Sequence, residues 1–241
     1  MSPRGYFIAG TDTGAGKTRV TCALLRSLAA CGHRAVGMKP VASGADRVQG
    51  CLVSDDVAQI AANSSKIATD LRTNTYIFEP PVSPDIAAEM AGISVDIGAI
   101  VADFSALGPH ADRVLVEGTG GWLCPIGART TMADVAAALG LPVILVVGLK
   151  LGCINHALLT AASIRARGCA FAGWIGNRVD PHYLLPEANL ATLTRLLETP
   201  PLAVLPYTPA VAAELAAPAA AASSAAPADI DPSLADLARR L

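Results

Sequence analysis

The sequence predicts an α/β protein: a doubly wound, mostly parallel sheet with helices on both faces. Three observations carry this. Short apolar, β-branched runs at residues 6–9, 35–38, 114–116, 143–147, 171–175 and 202–205 are apolar at every position rather than at alternate ones, as expected of strands covered on both sides. Stretches rich in Ala and Leu separate most of them, so each strand is followed by a crossover helix of fixed hand. The conspicuous polar residues fall just after the runs, where open α/β sheets bind ligands.

The first run ends in the nine residues GTDTGAGKT, 10–18, which open a helix to residue 28. Glycines let the backbone N–H groups face inward, and the helix N-terminus adds its positive end, which makes a cradle for phosphate oxygens. Gly14, Ala15 and Gly16 line it, Lys17 reaches the β- and γ-phosphates, and the Thr18 hydroxyl ligates magnesium. Thr11 stands where the usual pattern has its first Gly, and Gly10 is one residue early. The expected fold is therefore a P-loop NTPase-like three-layer sandwich, and its expected ligands are ATP and Mg2+.

The second run is followed by Lys39-Pro40-Val41-Ala42-Ser43-Gly44. An ammonium beside a triphosphate neutralises charge on a transferring phosphoryl group, and Ser43 is placed to hydrogen-bond a polar substrate. Asp55-Asp56 begins the next helix, expected over 56–62, and one of the two carboxylates is expected at the metal. After it, Ser83-Pro84 opens a short helix and Ser94 caps another running to 104. The third run ends at Glu117, a Walker-B-like acid whose burial calls for a cation. Gly118, Thr119, Gly120 and Gly121 follow, where backbone can approach a ligand closely.

A helix over 132–139, ended by Gly140, precedes the run 143–147, and another over 153–167 follows it. Residues 150–156, Lys-Leu-Gly-Cys-Ile-Asn-His, lead into this last helix, whose free N–H groups are placed to hold a substrate carboxylate; His156 is read as a packing or hydrogen-bonding residue. Asn177, after the fifth run, is placed to read a base edge.

Bulk properties set the outer bounds. The chain has 241 residues, with 18 basic and 20 acidic side chains. That length fits one domain, read as 1–207, followed by an Ala/Pro-rich tail, 208–241, part of which is expected to be mobile. A net charge near zero supplies no field for nucleic acid or an anionic membrane. The six cysteines show no paired metal-ligand spacing and read as reduced thiols. The longest apolar block is too short for a membrane span, so a cytoplasmic location is expected.

Taken together, GTDTGAGKT, KPVASG, the acidic helix start, VLVEGTGGW, PVILVVGLKLGCINHALLT and GWIGNRVD resemble the dethiobiotin synthetase family, in order and at similar spacing over residues 5–207. Thr119 departs from the alanine usual there, and the tail has no counterpart. The resemblance implies an ATP- and magnesium-dependent ligase that closes a cyclic urea on 7,8-diaminopelargonic acid with CO2, through a carbamate and a carbamic-phosphoric anhydride. Lys17 and Lys39 would act on the phosphates and carbamate. Thr18, Asp56 and Glu117 would hold the metal, Asp56 being preferred over Asp55 for the residues that follow it. Thr13, Ser43 and Gly121 would touch the diamine. Asn177, Arg178, Leu205, Pro206 and Tyr207 would form the adenine end. The resemblance further implies a homodimer with substrate at the interface, in which Leu151, Gly152, Cys153, Ile154 and Asn155 of the neighbour hold the substrate carboxylate.

Two other readings share the fold. Amidotransferase synthetases of cobalamin assembly need a glutaminase domain, for which nothing after residue 207 leaves room. A partitioning-type ATPase switch usually carries an extra lysine early in the phosphate loop, and residues 11–15 have none.

Overall fold

Six strands form one parallel sheet in a computed structural model that describes residues 4–208 and 232–241. The strands are β1 (Gly5–Gly10), β2 (Ala35–Met38), β7 (Arg113–Glu117), β8 (Val143–Leu149), β9 (Phe171–Arg178) and β10 (Ala203–Leu205), ordered β10-β9-β8-β1-β7-β2. Register places Ile8 beside Glu117 and Gly10 beside Val146, which brings the strand ends to one rim.

Both faces are buried, as the run composition predicts. Ile8, Ile144, Val146 and Ile175 point to one side, where Val20, Leu24 and Leu25 of α1 (Lys17–Ala30), Ile60 of α2 (Asp55–Ala62) and Leu234 and Leu237 of α8 (Pro232–Arg240) meet them. Phe7, Val114, Val116, Leu145 and Trp174 point to the other. That side is covered by α4 (Ile97–Leu107), α5 (Met132–Leu139), α6 (Cys153–Ala166) and α7 (Pro186–Leu197). The side chains alternate because successive Cβ atoms of a strand face opposite ways, and the result is the expected three-layer sandwich.

Several boundaries differ from expectation. Asp96, not Ser94, caps α4: its Oδ1 accepts the Gly98 N–H at 2.8 Å, leaving Ser94 outside the helix. Helix α2 starts one residue earlier, at Asp55. The short helix after Ser83-Pro84 is α3 (Pro84–Met90), and Gly140, in the left-handed region, ends α5 as expected. Asn177 and Arg178 lie within β9 rather than beyond it.

Four short strands were not foreseen. β3 (Val41–Ser43) pairs in parallel with β6 (Tyr76–Phe78), and β4 (Asp46–Val48) forms a hairpin with β5 (Cys51–Val53). Nor were α7 and α8. The expectation of a mobile stretch at 209–227 lies outside the described residues, but residues 232–240 form a helix packed on α1 and β10.

Candidate active site

All the sequence-predicted residues lie along the rim formed by the C-terminal ends of the strands. At the end of β1, Gly14 and Gly16 take positive φ (77° and 85°), and Gly16 starts α1. Only glycine fits position 16, because a Cβ there would stand 2.0 Å from Asn177 Nδ2. Asn177 is fully buried beneath the loop: it donates to the Ala15 carbonyl at 2.9 Å and accepts from Arg19 at 2.6 Å. Its amide therefore props the phosphate loop from the sheet. Arg178 beside it pairs with Glu187, and Leu205, Pro206 and Tyr207 follow at the end of β10.

The chemical centre lies between β1, β2 and β7. Lys39, 4% exposed, follows β2 directly and donates to Asp56 Oδ2 and, at 2.8 Å, to Glu117 Oε1. Thr18 Oγ1 lies 3.0 Å from Asp56 Oδ1 and 2.8 Å from Glu117 Oε1, and its single proton serves one at a time. Burial disfavours the charge on Lys39, but Glu117 and Asp56 outweigh it and hold its pKa above the ordinary ammonium value. Desolvation likewise opposes ionisation of Asp56, and Lys39 overrides it and lowers its pKa. Lys17 goes the other way: buried and facing Lys39, it is easier to deprotonate than a free lysine. Its Nζ donates to the Asp12 carbonyl at 3.3 Å.

Of the acidic pair, the structure brings Asp56 to Thr18 and Glu117. Asp55 is held above the usual carboxylate range by burial, Asp46 and Asp56. Glu117 has no exposed surface, and its Oε2 is buried with no hydrogen-bond partner among the described residues. An orphaned carboxylate oxygen beside a hydroxyl and a second carboxylate is the donor set of a hard divalent cation. Magnesium usually takes only one or two protein carboxylates and fills its shell with water and phosphate, so the residues fit it.

Gly118 packs on Phe7, and the Thr119 hydroxyl donates to the Val41 carbonyl, tying this glycine turn to the strand that carries Ser43. The turn Gly152 (φ 94°) opens α6, with Leu151 91% exposed. Cys153 N already donates to Lys150 O, and its side chain is buried, Sγ 3.4 Å from Tyr183 Oη. Helix geometry leaves the N–H groups of Ile154 and Asn155 without intrahelical acceptors. Beside the phosphate loop is a cavity of about 300 Å³ lined by Thr11, Gly121, Trp122, Cys124, Leu159 and Thr160 among others. Thr13 is exposed nearby and Ser43 half-buried.

The sequence reading missed Arg19, Trp122 and the α6 side of this cavity. Arg19 had no signal beyond following Thr18, whereas Trp122 stands directly after the glycine turn and was a visible candidate.

The fold and this rim define a nucleotide-binding protein of the P-loop ATPase class. A family model described as an AAA domain matches residues 4–215. Among solved structures, the cell division ATPase MinD of Pyrococcus furiosus is 21% identical with a TM-score of 0.56, covering 99% of this chain and 98% of that one. A ParA family ATPase from Chlorobium tepidum is 14% identical with a TM-score of 0.59, covering 99% of each. These likenesses concern the fold.

The sequence relatives are nearer. An ATP-dependent dethiobiotin synthetase from Aromatoleum aromaticum is 50% identical over 205 residues, 85% of this chain and 91% of the relative. Another from Nitrosospira multiformis is 47% identical over 204 residues, covering 85% and 88%. The chain belongs to the ATP-dependent dethiobiotin synthetase family. Among the described residues no helix is long and apolar enough to cross a membrane.

Proposed function

We propose that the protein is an ATP- and magnesium-dependent dethiobiotin synthase, a ligase of biotin biosynthesis that joins CO2 to 7,8-diaminopelargonic acid and closes the cyclic urea. The observation that carries the reading is the buried ammonium of Lys39 held between Glu117 and Asp56 beside the phosphate loop, in a chain 50% identical over 205 residues to a named synthetase.

One amine of the substrate adds to CO2, forming an N–C bond and releasing a proton. The resulting carbamate oxygen attacks the γ-phosphorus, and ADP leaves. The second amine then attacks the carbamoyl carbon, closing the ring and expelling phosphate. No enzyme nucleophile is needed, so the protein's work is orientation and charge stabilisation. Lys39 is assigned to the anionic carbamate and the γ-phosphoryl group, and Glu117 and Asp56 keep it protonated there despite its burial. Lys17, Gly14, Ala15 and Gly16 hold the phosphates. Thr18, Asp56 and Glu117 hold magnesium, which offsets the charge of the β- and γ-phosphates when bound.

Thr13, Ser43 and Gly121 are assigned to the diamine, and the adjacent cavity suits its aliphatic chain. The backbone of Gly118, Thr119 and Gly120 is assigned to phosphate and substrate. Asn177, Arg178, Leu205, Pro206 and Tyr207 are assigned to adenine; for Asn177 this requires Arg19 to give up Oδ1 as the base arrives. A second copy of the chain completes the site. Leu123 (57% exposed) and Leu159 (63%), which line the cavity, and Leu151 (91%) support this, because they expose apolar surface. The turn Leu151, Gly152, Cys153, Ile154 and Asn155 then serves the substrate carboxylate of the partner's site. No nucleic acid or membrane partner is proposed, and the proposed location is the cytoplasm.

Incubation with the diamine, ATP, magnesium and 13C-bicarbonate tests this. The account expects a product of dethiobiotin mass carrying one heavy carbon; an unlabelled or unchanged diamine would refute it. A partitioning-type switch, the runner-up, has the fold in its favour but lacks the extra loop lysine.

A further inference from the structure

The phosphate loop carries a carboxylate of its own. Asp12 lies between Thr11 and Thr13, and its atoms organise the loop from within. Its carbonyl accepts from Lys17 Nζ at 3.3 Å and from Ala15 N at 3.4 Å, and Oδ1 accepts the Thr13 N–H at 2.8 Å. On the ATP reading, a carboxylate held in this loop lies near a triphosphate of the same sign and would repel it. The remaining oxygen, Oδ2, is paired with Lys150 Nζ at 3.3 Å.

We propose that Lys150 is a positioning residue of the nucleotide site, whose task is to neutralise Asp12 so that the loop can keep that carboxylate and still accept ATP. The proposal rests on the ATP reading above. Both side chains are a little under half exposed, 41% and 46%, and such a pair contributes little to stability by itself. Its value lies in the field at the loop. Lys150 is well held for this role, because it follows β8 directly, where Gly148 packs closely against Ala15: a Cβ there would be 3.1 Å from Ala15 Cα. Its carbonyl accepts Cys153 N at 3.0 Å, so the same residue ties the phosphate loop to the start of α6.

A double-mutant cycle separates this role from direct contact with the nucleotide. Calorimetry would measure binding of Mg2+ with a non-hydrolysable ATP analogue to the intact protein, to Lys150→Gln, to Asp12→Asn and to the double variant. Lys150→Gln is expected to weaken binding about 5-fold when Asp12 is present, but less than about 2-fold in the Asp12→Asn background. In turnover, Lys150→Gln raises KM for ATP while kcat stays within about 2-fold, and Lys150→Arg restores KM. Equal losses in both backgrounds would overturn the proposal by showing that Lys150 touches the nucleotide itself. No loss in either, or a loss confined to kcat, would also overturn it. Failure of the unsubstituted protein to bind the analogue would defeat the ATP reading and this inference together, and is recognisable because it appears before any substitution.

Discussion

Lys39 and Glu117 form a buried ion pair, Nζ to Oε1 at 2.8 Å, with 5% and 0% of their side chains exposed. Neither charge can be removed alone without stranding the other in a medium where an unpaired ion is costly. The pair joins the second strand to the seventh and places the ammonium at the phosphate loop.

Replacing Lys39 with Gln should therefore act twice. On the proposed mechanism the carbamate and γ-phosphoryl group lose a cation, and kcat falls by about 100-fold or more. Glu117 and Asp56 are also left facing each other, so the melting temperature drops in metal-free buffer and recovers partly when Mg2+ and ADP are added. Thermal melts with and without Mg2+ and ADP, beside steady-state rates, check both parts.

Glu117→Gln keeps the shape and removes the charge. The buried Lys39 is then left with Asp56 to balance it, so the apo protein should melt at a lower temperature. The magnesium concentration for half-maximal activity should rise about 10-fold or more, because one of two anionic donors is gone. A magnesium titration of activity at saturating ATP reads this directly.

Gly16→Ala places a methyl group 2.0 Å from Asn177 Nδ2 at a φ of 85°. Strain of this kind is worth about 1–3 kcal/mol, and relieving it must displace the amide that supports Ala15. Nucleotide affinity should fall about 10-fold or more. Asn177→Ala should have a milder effect in the same direction, since the Ala15 carbonyl and Arg19 each lose one hydrogen bond. Calorimetric titration with ADP ranks the two.

The last helix should matter for stability rather than chemistry. Leu234 and Leu237 are buried against α1, and the Leu241 carbonyl accepts from Arg113 Nε at 2.8 Å. Leu237→Ala should cost about 2–4 kcal/mol, visible in urea denaturation, with kcat at saturating substrates nearly unchanged.

What was legible in the sequence was what is local. The phosphate loop, the strands apolar on both faces and the acid closing β7 each carry their signal within a few residues, and they sufficed for the fold and to bring Lys17, Thr18, Lys39 and Glu117 forward as candidates. Asp56 was preferred to Asp55 because Val57 and Ile60 after it fit the pattern of the family it resembles, and it is Asp56 that hydrogen-bonds Thr18 and Lys39. Contacts between distant segments were not legible. Lys150 and Asp12 are 138 positions apart, and nothing near Asn177 announces that it lies beneath Gly16. The strands β3 and β6 have three residues each, too few to show a period. Helix α8 did leave a trace: Leu234, Leu237 and Leu241 recur at helical spacing, but the Ala-rich stretch before them drew attention to composition instead of pattern.

Phosphate release from ATP and Mg2+, measured with and without diaminopelargonic acid and bicarbonate and matched to product mass, decides whether the protein is a ligase. Release should depend on the diamine and equal the dethiobiotin formed, one for one. Release indifferent to the diamine, with no new product, would contradict the ligase assignment and favour an ATPase switch.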